Sequence, residues 1–188
     1  MKVLLRSMII ITILSLVVGC QQDSTTVETE NPNATEDMKD FIEPEPSDSL
    51  KYTKTVTEYL YYRTQAVVNN DMDILWNQYP GLKDSIDFKK GINVEKYVME
   101  SLNEHFDLID ANYNIESYER IKVKTIDDHN VIVLVHGSIS YLRQDFQESG
   151  GEHVIKVFLE KTNNQWTVVK TDEYTQSEYK EWFNIKNN

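Results

Sequence analysis

The sequence predicts an α+β fold, in which three N-terminal helices pack on a curved antiparallel sheet of about four strands. Apolar residues recur at helical spacing between residues 52 and 113, and after Asn114 they alternate with a period of two. Short polar turns separate the alternating segments, as in hairpins. Helices followed by strands in one chain are typical of an α+β arrangement.

The first predicted helix begins near Tyr52, where the sequence TKTVTEYLYYRTQAVV contains neither glycine nor proline. Thr53 or Thr55 is the expected N-cap, and Glu58 stands three residues after Thr55, as in a capping box. The polar residues at 69–71 end this helix. Its apolar face consists of Val56, Tyr59, Leu60, Tyr62, Ala66 and Val67.

Two further helices are predicted before the period changes. A short helix follows Asp71, its expected cap, and stops at Pro80 and Gly81. A third helix is predicted over residues 93–113. Its apolar face consists of Val94, Tyr97, Val98, Leu102, Phe106 and Ile109.

Four strands are predicted in the C-terminal half, at residues 115–126, 131–142, 153–161 and 166–174. The second strand is apolar enough to lie in the centre of the sheet. The sequence RQDFQESGGE is expected to form a loop, and DDHN and TNNQ are expected to form turns. The segment SEYKEWFNIK near the C-terminus is expected to form a closing helix.

The N-terminal segment begins with a short cationic stretch and continues as an apolar run. Lys2 and Arg6 provide the positive charge, and residues 7–18 are almost uninterruptedly apolar. This run of about a dozen residues is shorter than the roughly 20 residues that a helix needs to span a bilayer. It is typical of the hydrophobic core of a cleaved signal peptide.

The only cysteine of the chain follows this run, in the sequence Val17-Val18-Gly19-Cys20. This sequence resembles the lipobox of bacterial lipoprotein signal peptides, in which leucine is commoner at the position of Val17. The resemblance implies cleavage after Gly19 and a covalent diacylglycerol on Cys20, with no other cofactor expected. Such a lipid would anchor the protein at the extracytoplasmic face of the cell membrane. A Gram-positive envelope is the favoured location. The alternative is a chance cysteine behind an uncleaved hydrophobic helix.

Residues 20–50 are expected to form the lipidated N-terminus and a disordered acidic linker. Nine acidic residues, one basic residue and three prolines fall within residues 21–50, with few apolar side chains. Such a segment cannot recover its ordering entropy by burial. A short binding motif around Phe41 and Ile42 is the alternative. The predicted division of the chain is a signal peptide at 1–19, this linker at 20–50 and a folded domain at 51–188.

The order of elements over residues 52–176 resembles that of the NTF2-like superfamily. The resembling features are the long first helix, the sequence NNDMDILWNQYP that leads into a short helix, and the sheet that follows. Many such domains have an acidic residue and a short apolar helix after the first helix, and Asp71, Ile74, Leu75 and Trp76 stand there. The resemblance implies the cone-shaped fold of nuclear transport factor 2, ketosteroid isomerase and SnoaL-like proteins. It leaves the activity open, because one fold serves many functions.

Three side chains on predicted strands are the candidates for a pocket lining: His136, Tyr141 and Asp172. General acid–base chemistry would require burial or a charged partner to tune the pKa of such groups. The alternative is that His136 is hydrogen-bonded within the sheet or exposed, and that Tyr141 belongs to the core. No catalytic residue is assigned.

Metal and nucleic acid are not expected as ligands. The four histidines show no pair at helical spacing that would suit a metal: His105, His129, His136 and His153. The net charge of −12 and the lack of a basic cluster argue against nucleic acid.

The predicted function is that of a membrane-anchored, non-enzymatic lipoprotein whose domain binds an envelope protein, a peptide or a small ligand. Tyr61 falls off the apolar stripe of the first helix and is the candidate for a surface contact. The alternatives are a SnoaL-like enzyme of the isomerase or hydratase type, acting on a small molecule, and a structural factor of the envelope. A homodimer through the sheet, formed by residues 131–142, is implied by the resemblance. A buried polar constellation in a roomy cone would favour the enzyme, and a filled cone with an exposed aromatic patch would favour the binding module.

Overall fold

The predicted α+β class is confirmed by the computed structural model, which describes residues 40–87, 91–115 and 121–174. Three helices pack on one face of an open antiparallel sheet of five strands. The signal peptide, Cys20, residues 21–39 of the predicted linker and the predicted closing helix lie outside the described residues. Within the ranges that the structure describes, no helix is both long and apolar enough to cross a membrane.

The helices are α1 (Pro46–Val68), α2 (Asp73–Gln78) and α3 (Val94–His105), and a 3-10 turn at Pro80–Leu82 follows α2. The first helix begins earlier than predicted, at Pro46 instead of near Tyr52, so Thr53 and Thr55 lie inside it and do not cap it. Proline suits a first helical turn because its φ is already helical and its missing N–H has no partner there. The end of the predicted linker therefore belongs to the helix.

The strands are β1 (Leu108–Ile115), β2 (Ile121–Thr125), β3 (Asn130–Arg143), β4 (Glu148–Thr162) and β5 (Gln165–Glu173). The predicted central strand is confirmed as β3, which pairs with β4 along one edge and with β1 and β2 in tandem along the other. β5 pairs with the far edge of β4.

The chain joins the sheet before α1 begins. Ile42 and Val123 of β2 exchange two backbone hydrogen bonds, of 2.9 and 2.8 Å, and Phe41 is buried. Lys124 Nζ also lies 2.7 Å from Asp40 Oδ2. Asp40, Phe41 and Ile42 were assigned to the linker from the sequence, but they cover the free edge of β2. Covering an edge strand protects it from pairing with other chains.

Two parts of the secondary-structure prediction were wrong. The third helix ends at His105, and residues 108–113, predicted as its continuation, belong to β1, which pairs with β3. Sheet pairing with β3 overrides the helical spacing of the apolar residues there. The sequence ESGGE belongs to β4 and not to a loop.

The predicted TNNQ turn is confirmed. Asn163 and Asn164 have φ values of 51° and 64° and join β4 to β5 in a tight hairpin. Asparagine tolerates this left-handed conformation better than other side chains do.

The two faces of the sheet bury different clusters. The main core lies between the helices and the inner face, where alternate residues of β3 such as Val133, Val135 and Ile139 meet Val56 and Leu60 of α1. The outer face carries a smaller buried cluster: Phe41, Leu134, Val154 and Tyr174.

Candidate functional site

A pocket of about 290 Å³ lies between α3 and the inner face of β3 and β4. We call it the α3 pocket. Its walls include the apolar side chains of Val98, Leu102 and Ile139. Its polar groups come from Arg63, Tyr141, His153 and Glu173, and its rim includes Tyr97, Ser101, Glu152, Gly150 and Gly151.

The pleat of the β3–β4 hairpin opens this pocket. Ile139 faces the pocket and is paired across the strands with Gly151, which contributes no side chain. Cross-strand partners point to the same face of a sheet, so a side chain at position 151 would enter the pocket. A Cβ atom added to Gly151 would meet no heavy atom within 4 Å. The missing side chain therefore leaves open space between the two strands and α3.

A buried cluster of charged and hydroxyl groups forms one side of the site, and we call it the Arg63 cluster. Glu95 Oε1 accepts hydrogen bonds from Tyr59 Oη at 2.5 Å and from Thr171 Oγ1 at 2.7 Å. Arg63 Nε lies 2.7 Å from Glu95 Oε2, and an Arg63 terminal nitrogen donates to Glu173 at 2.8 Å. One carboxylate thereby ties α1, α3 and β5 together.

The charges in the Arg63 cluster are compensated. Arg63 and Glu95 are each 3% exposed, so both have lost almost all contact with water. Such ions are tolerated only when they are paired and hydrogen-bonded, as both are here. The cluster therefore acts first as a structural tie, and it presents to the pocket a guanidinium that is already paired with two carboxylates.

Two other polar atoms of the pocket lining have no such partners. Tyr141 Oη and His153 Nε2 are buried and form no hydrogen bond with any residue in the described ranges. Tyr141 is 4% exposed and His153 is 8% exposed. Nearly all buried polar atoms in proteins have a partner, so each unsatisfied atom beside a cavity is a candidate for a hydrogen bond to a bound molecule.

Both groups are uncharged at neutral pH. Burial raises the pKa of the Tyr141 phenol to about 12, so the hydroxyl keeps its proton. Burial, together with the nearby Arg63 charge, lowers the pKa of His153 to about 4, so the imidazole is neutral. His153 Nδ1 lies 3.5 Å from the Gly151 carbonyl oxygen, and we assign its proton there, which leaves Nε2 as an acceptor.

The structure does not bring the three predicted pocket residues together. Tyr141 lines the α3 pocket, whereas His136 pairs with Val154 and Asp172 pairs with Lys156 on the outer face of the sheet. Residues an odd number of positions apart in a strand point to opposite faces, so His136 and Tyr141, five apart, cannot share one site.

The predicted surface residue Tyr61 is 48% exposed, and its ring meets the edge of Tyr62 at 5.3 Å. It does not line the α3 pocket. The side chain thus stands at the surface of α1, and its role as a contact stays a prediction.

Sequence reasoning missed Arg63, Glu95, His153 and Glu173. Two of them left a signal. Arg63 stands four residues after Tyr59 and four before Val67, in the apolar stripe of α1. Glu95 precedes the buried Met99 by four residues, so it shares the buried face of α3, while Tyr97, predicted there, is 56% exposed.

Comparison with known proteins gives similarities of structure only. No protein-family model matches the chain, and no curated protein matches its sequence. Similar solved structures include the protein Aln2 from a Streptomyces species, with 9% identity, a TM-score of 0.49 and coverage of 74% of this chain and 98% of the other.

Two further similar structures are described as NTF2-like. One, of unknown function, is from Shewanella oneidensis, with 14% identity, a TM-score of 0.39 and coverage of 64% of this chain and 97% of the other. The other is from Salmonella enterica serovar Typhimurium, with 10% identity, a TM-score of 0.44 and coverage of 68% and 92%. At such identities and TM-scores, no activity transfers from these proteins to this chain.

Proposed function

We propose that this protein is a lipid-anchored extracytoplasmic protein whose folded domain binds a small, uncharged ligand in the α3 pocket. The observation that carries the binding function is the pair of unsatisfied buried atoms, Tyr141 Oη and His153 Nε2, beside a cavity of about 290 Å³. A ligand that completes these hydrogen bonds would remove a penalty of about 1–3 kcal/mol for each unsatisfied group.

The chemistry of the lining defines the class of ligand. Val98, Leu102 and Ile139 offer apolar contact, Tyr141 offers a donor and His153 Nε2 offers an acceptor. A hydroxyl group both donates and accepts, so it pairs with either of these two groups. A formal charge is disfavoured because the pocket is partly desolvated and the charge of Arg63 is already balanced. The volume lies at the lower end of the roughly 300–1,000 Å³ that is typical of small-molecule sites, so the ligand is small.

The anchor rests on the sequence alone. The cationic start, the apolar run and the sequence around Cys20 support a cleaved and lipidated N-terminus. A Cys20→Ala variant is expected to stay uncleaved and to lose incorporation of labelled fatty acid. The anchor would be contradicted if the mature protein had an unmodified thiol at Cys20, or if the parent protein were cleaved at an unrelated site. Neither result would affect the proposal for the pocket.

A matched set of three probes tests the pocket: 1-adamantanol, which is neutral, and the corresponding carboxylate and amine, which are charged. Ligand-observed NMR on the full chain in detergent micelles would give the three affinities. The alcohol is expected to bind about tenfold more tightly than either ion, because a charge would be desolvated without a partner. Equal affinities for the three probes would contradict a neutral-ligand site.

Two variants locate the binding. Gly151→Leu places a side chain in open space of the pocket and should abolish binding of the alcohol without disturbing the backbone. Tyr141→Phe removes one donor and should weaken binding about tenfold. Tyr61→Phe, on the surface of α1, is the control and should bind as the parent does. Retained binding in Gly151→Leu would place the ligand elsewhere.

A second candidate function is proton-transfer catalysis, which the phenol of Tyr141 and the imidazole of His153 on the same pocket wall suggest. Efficient general acid–base groups have pKa values near the working pH. The pKa of His153 at about 4 makes it a weak base at neutral pH. The low pKa of His153 supports the binding proposal over an isomerase or hydratase.

The predicted homodimer also stays a proposal. Leu134 and His136 of β3 are fully buried within one chain, so a dimer contact would have to use other residues. Sedimentation of the full chain at several concentrations would measure the oligomeric state.

A further inference from the structure

A second cavity, of about 620 Å³, lies between the start of α1, the end of α2 and the β4–β5 hairpin. We call it the hairpin groove. The helices contribute Lys51, Lys54, Glu58 and Gln78, and the hairpin contributes residues 161–167. It shares no lining residue with the α3 pocket, so the two sites are tested separately.

Positive charge is concentrated in this groove, although the chain carries a net charge of −12. Lys51, Lys54 and Lys161 line it, and Glu58 is the one carboxylate that the described residues contribute to the lining. Lys51 is paired with Asp48 at 2.8 Å, whereas the ammonium groups of Lys54 and Lys161 form no ion pair with any described residue. Uncompensated ammonium groups at a cavity attract an anion.

The remaining lining is rich in side-chain amides. Gln78, Asn163, Asn164 and Gln165 line the groove, and none of these amides forms a side-chain hydrogen bond within the described part of the chain. Each amide offers two donors and an acceptor, which matches the hydroxyl groups of a sugar. The tight turn at Asn163 and Asn164 keeps two amides together at the end of the hairpin.

An aromatic ring completes the groove. Trp166 is half-buried. The centre of its ring lies 5.6 Å from the centre of the Tyr52 ring and 5.7 Å from Lys161 Nζ. Because Lys161 Nζ lies over this ring, a cation–π contact holds the ammonium group at the groove. Amides, an aromatic ring and ammonium groups thus meet in one cavity.

We propose that the hairpin groove binds an acidic oligosaccharide. Lys54 and Lys161 would contact its anionic groups, and the amides of the hairpin would contact its hydroxyl groups. The anionic group is a carboxylate or a phosphate, because both accept hydrogen bonds from lysine. The proposal does not depend on the α3 pocket, with which the groove shares no lining residue.

Calorimetric titration of the full chain in detergent micelles tests this site with three probes. Trigalacturonate carries carboxylates, glucose 6-phosphate carries a phosphate, and maltotriose is neutral. At least one acidic probe is expected to bind, and maltotriose is expected to bind at least about tenfold more weakly than that probe. Absence of binding by both acidic probes, or equal binding of maltotriose, would overturn the proposal.

Matched variants separate local recognition from bulk charge. Lys54→Gln/Lys161→Gln should lower the affinity about tenfold. Lys83→Gln/Lys96→Gln removes the same charge outside both cavities and should leave the affinity unchanged. Asn163→Gly/Asn164→Gly keeps the turn, since glycine accepts positive φ, and should weaken binding through loss of the amides. Equal losses in the two lysine double variants would show bulk attraction and refute a site in the groove.

Discussion

Two groups of buried polar side chains contribute to the α3 pocket, and they differ in whether their polar atoms contact one another. In the Arg63 cluster, Glu95 is contacted by Tyr59, Thr171 and Arg63 at 2.5–2.7 Å. On the β3–β4 wall, Tyr141 Oη and His153 Nε2 have no hydrogen-bond partner among the described residues.

This difference separates a structural role from a binding role. A satisfied buried ion cluster strongly resists the loss of any one member, because the remaining charges would be left without partners. Unsatisfied groups instead reduce stability, and they gain their partners when the pocket is filled. Changes in the Arg63 cluster should therefore alter stability, and changes on the β3–β4 wall should alter ligand affinity.

The largest effect on stability is expected from Glu95→Gln. The neutral amide leaves Arg63 with Glu173 as its remaining carboxylate contact and should lower the free energy of unfolding by about 3–5 kcal/mol. Urea denaturation followed by circular dichroism would measure it. Glu100→Gln, on the same helix but in an exposed pair with Lys96, is the control and should have no measurable effect. Similar small changes in the free energy of unfolding in Glu95→Gln and Glu100→Gln would contradict a structural role for the Arg63 cluster.

The next largest effect is expected from acid. Burial, with a contribution from Arg63 that outweighs the opposing effect of Glu173, lowers the pKa of His153 from its usual 6.5 to about 4. The unfolded chain therefore binds more protons than the folded chain between these pH values. The free energy of unfolding should fall as the pH falls from 6.5 to 4, by about 3 kcal/mol at most.

A variant at this position isolates the contribution of the histidine to acid sensitivity. His153→Gln cannot be protonated and should flatten the dependence of stability on pH in this window. His129→Gln, on an exposed turn, should leave the parent's slope in place. Denaturation at several pH values between about 4.5 and 7 would compare the three proteins. An unchanged slope in His153→Gln would show that the imidazole is not held neutral by burial.

The smallest effect on stability is expected from Tyr141→Phe. Its hydroxyl forms no bond with a described residue, so its removal should leave the free energy of unfolding unchanged or raise it by up to about 1 kcal/mol. The same variant should lose affinity for a hydroxyl ligand. Thermal denaturation without ligand and NMR titration with 1-adamantanol would measure both effects. A clear loss of stability without ligand would place Tyr141 with the Arg63 cluster as a structural residue.

The sequence predicted the class of fold well and the site poorly. The central strand was identified because it is a continuous run of apolar residues, which includes Val133 and Val135. Such a run can be recognised in the sequence without knowledge of the tertiary contacts. Tyr141 was identified as a pocket candidate, but His136 and Asp172 were grouped with it although they lie across the sheet. Arg63 and Glu95 were missed because a charged side chain is usually exposed, and their burial depends on each other.

By itself, the sequence determined that three helices precede an antiparallel sheet, because hydrophobic periodicity is a property of neighbouring residues in the chain. Only the tertiary structure decided that the segment after His105 is a strand, that Glu95 faces inwards and that His153 lines the same pocket as Tyr141. Each of these depends on a partner far away in the chain: β3 for the strand, Arg63 and Thr171 for Glu95, and the β3–β4 register for His153. Local pattern carries no information about such partners, whose contacts form only when the chain is folded.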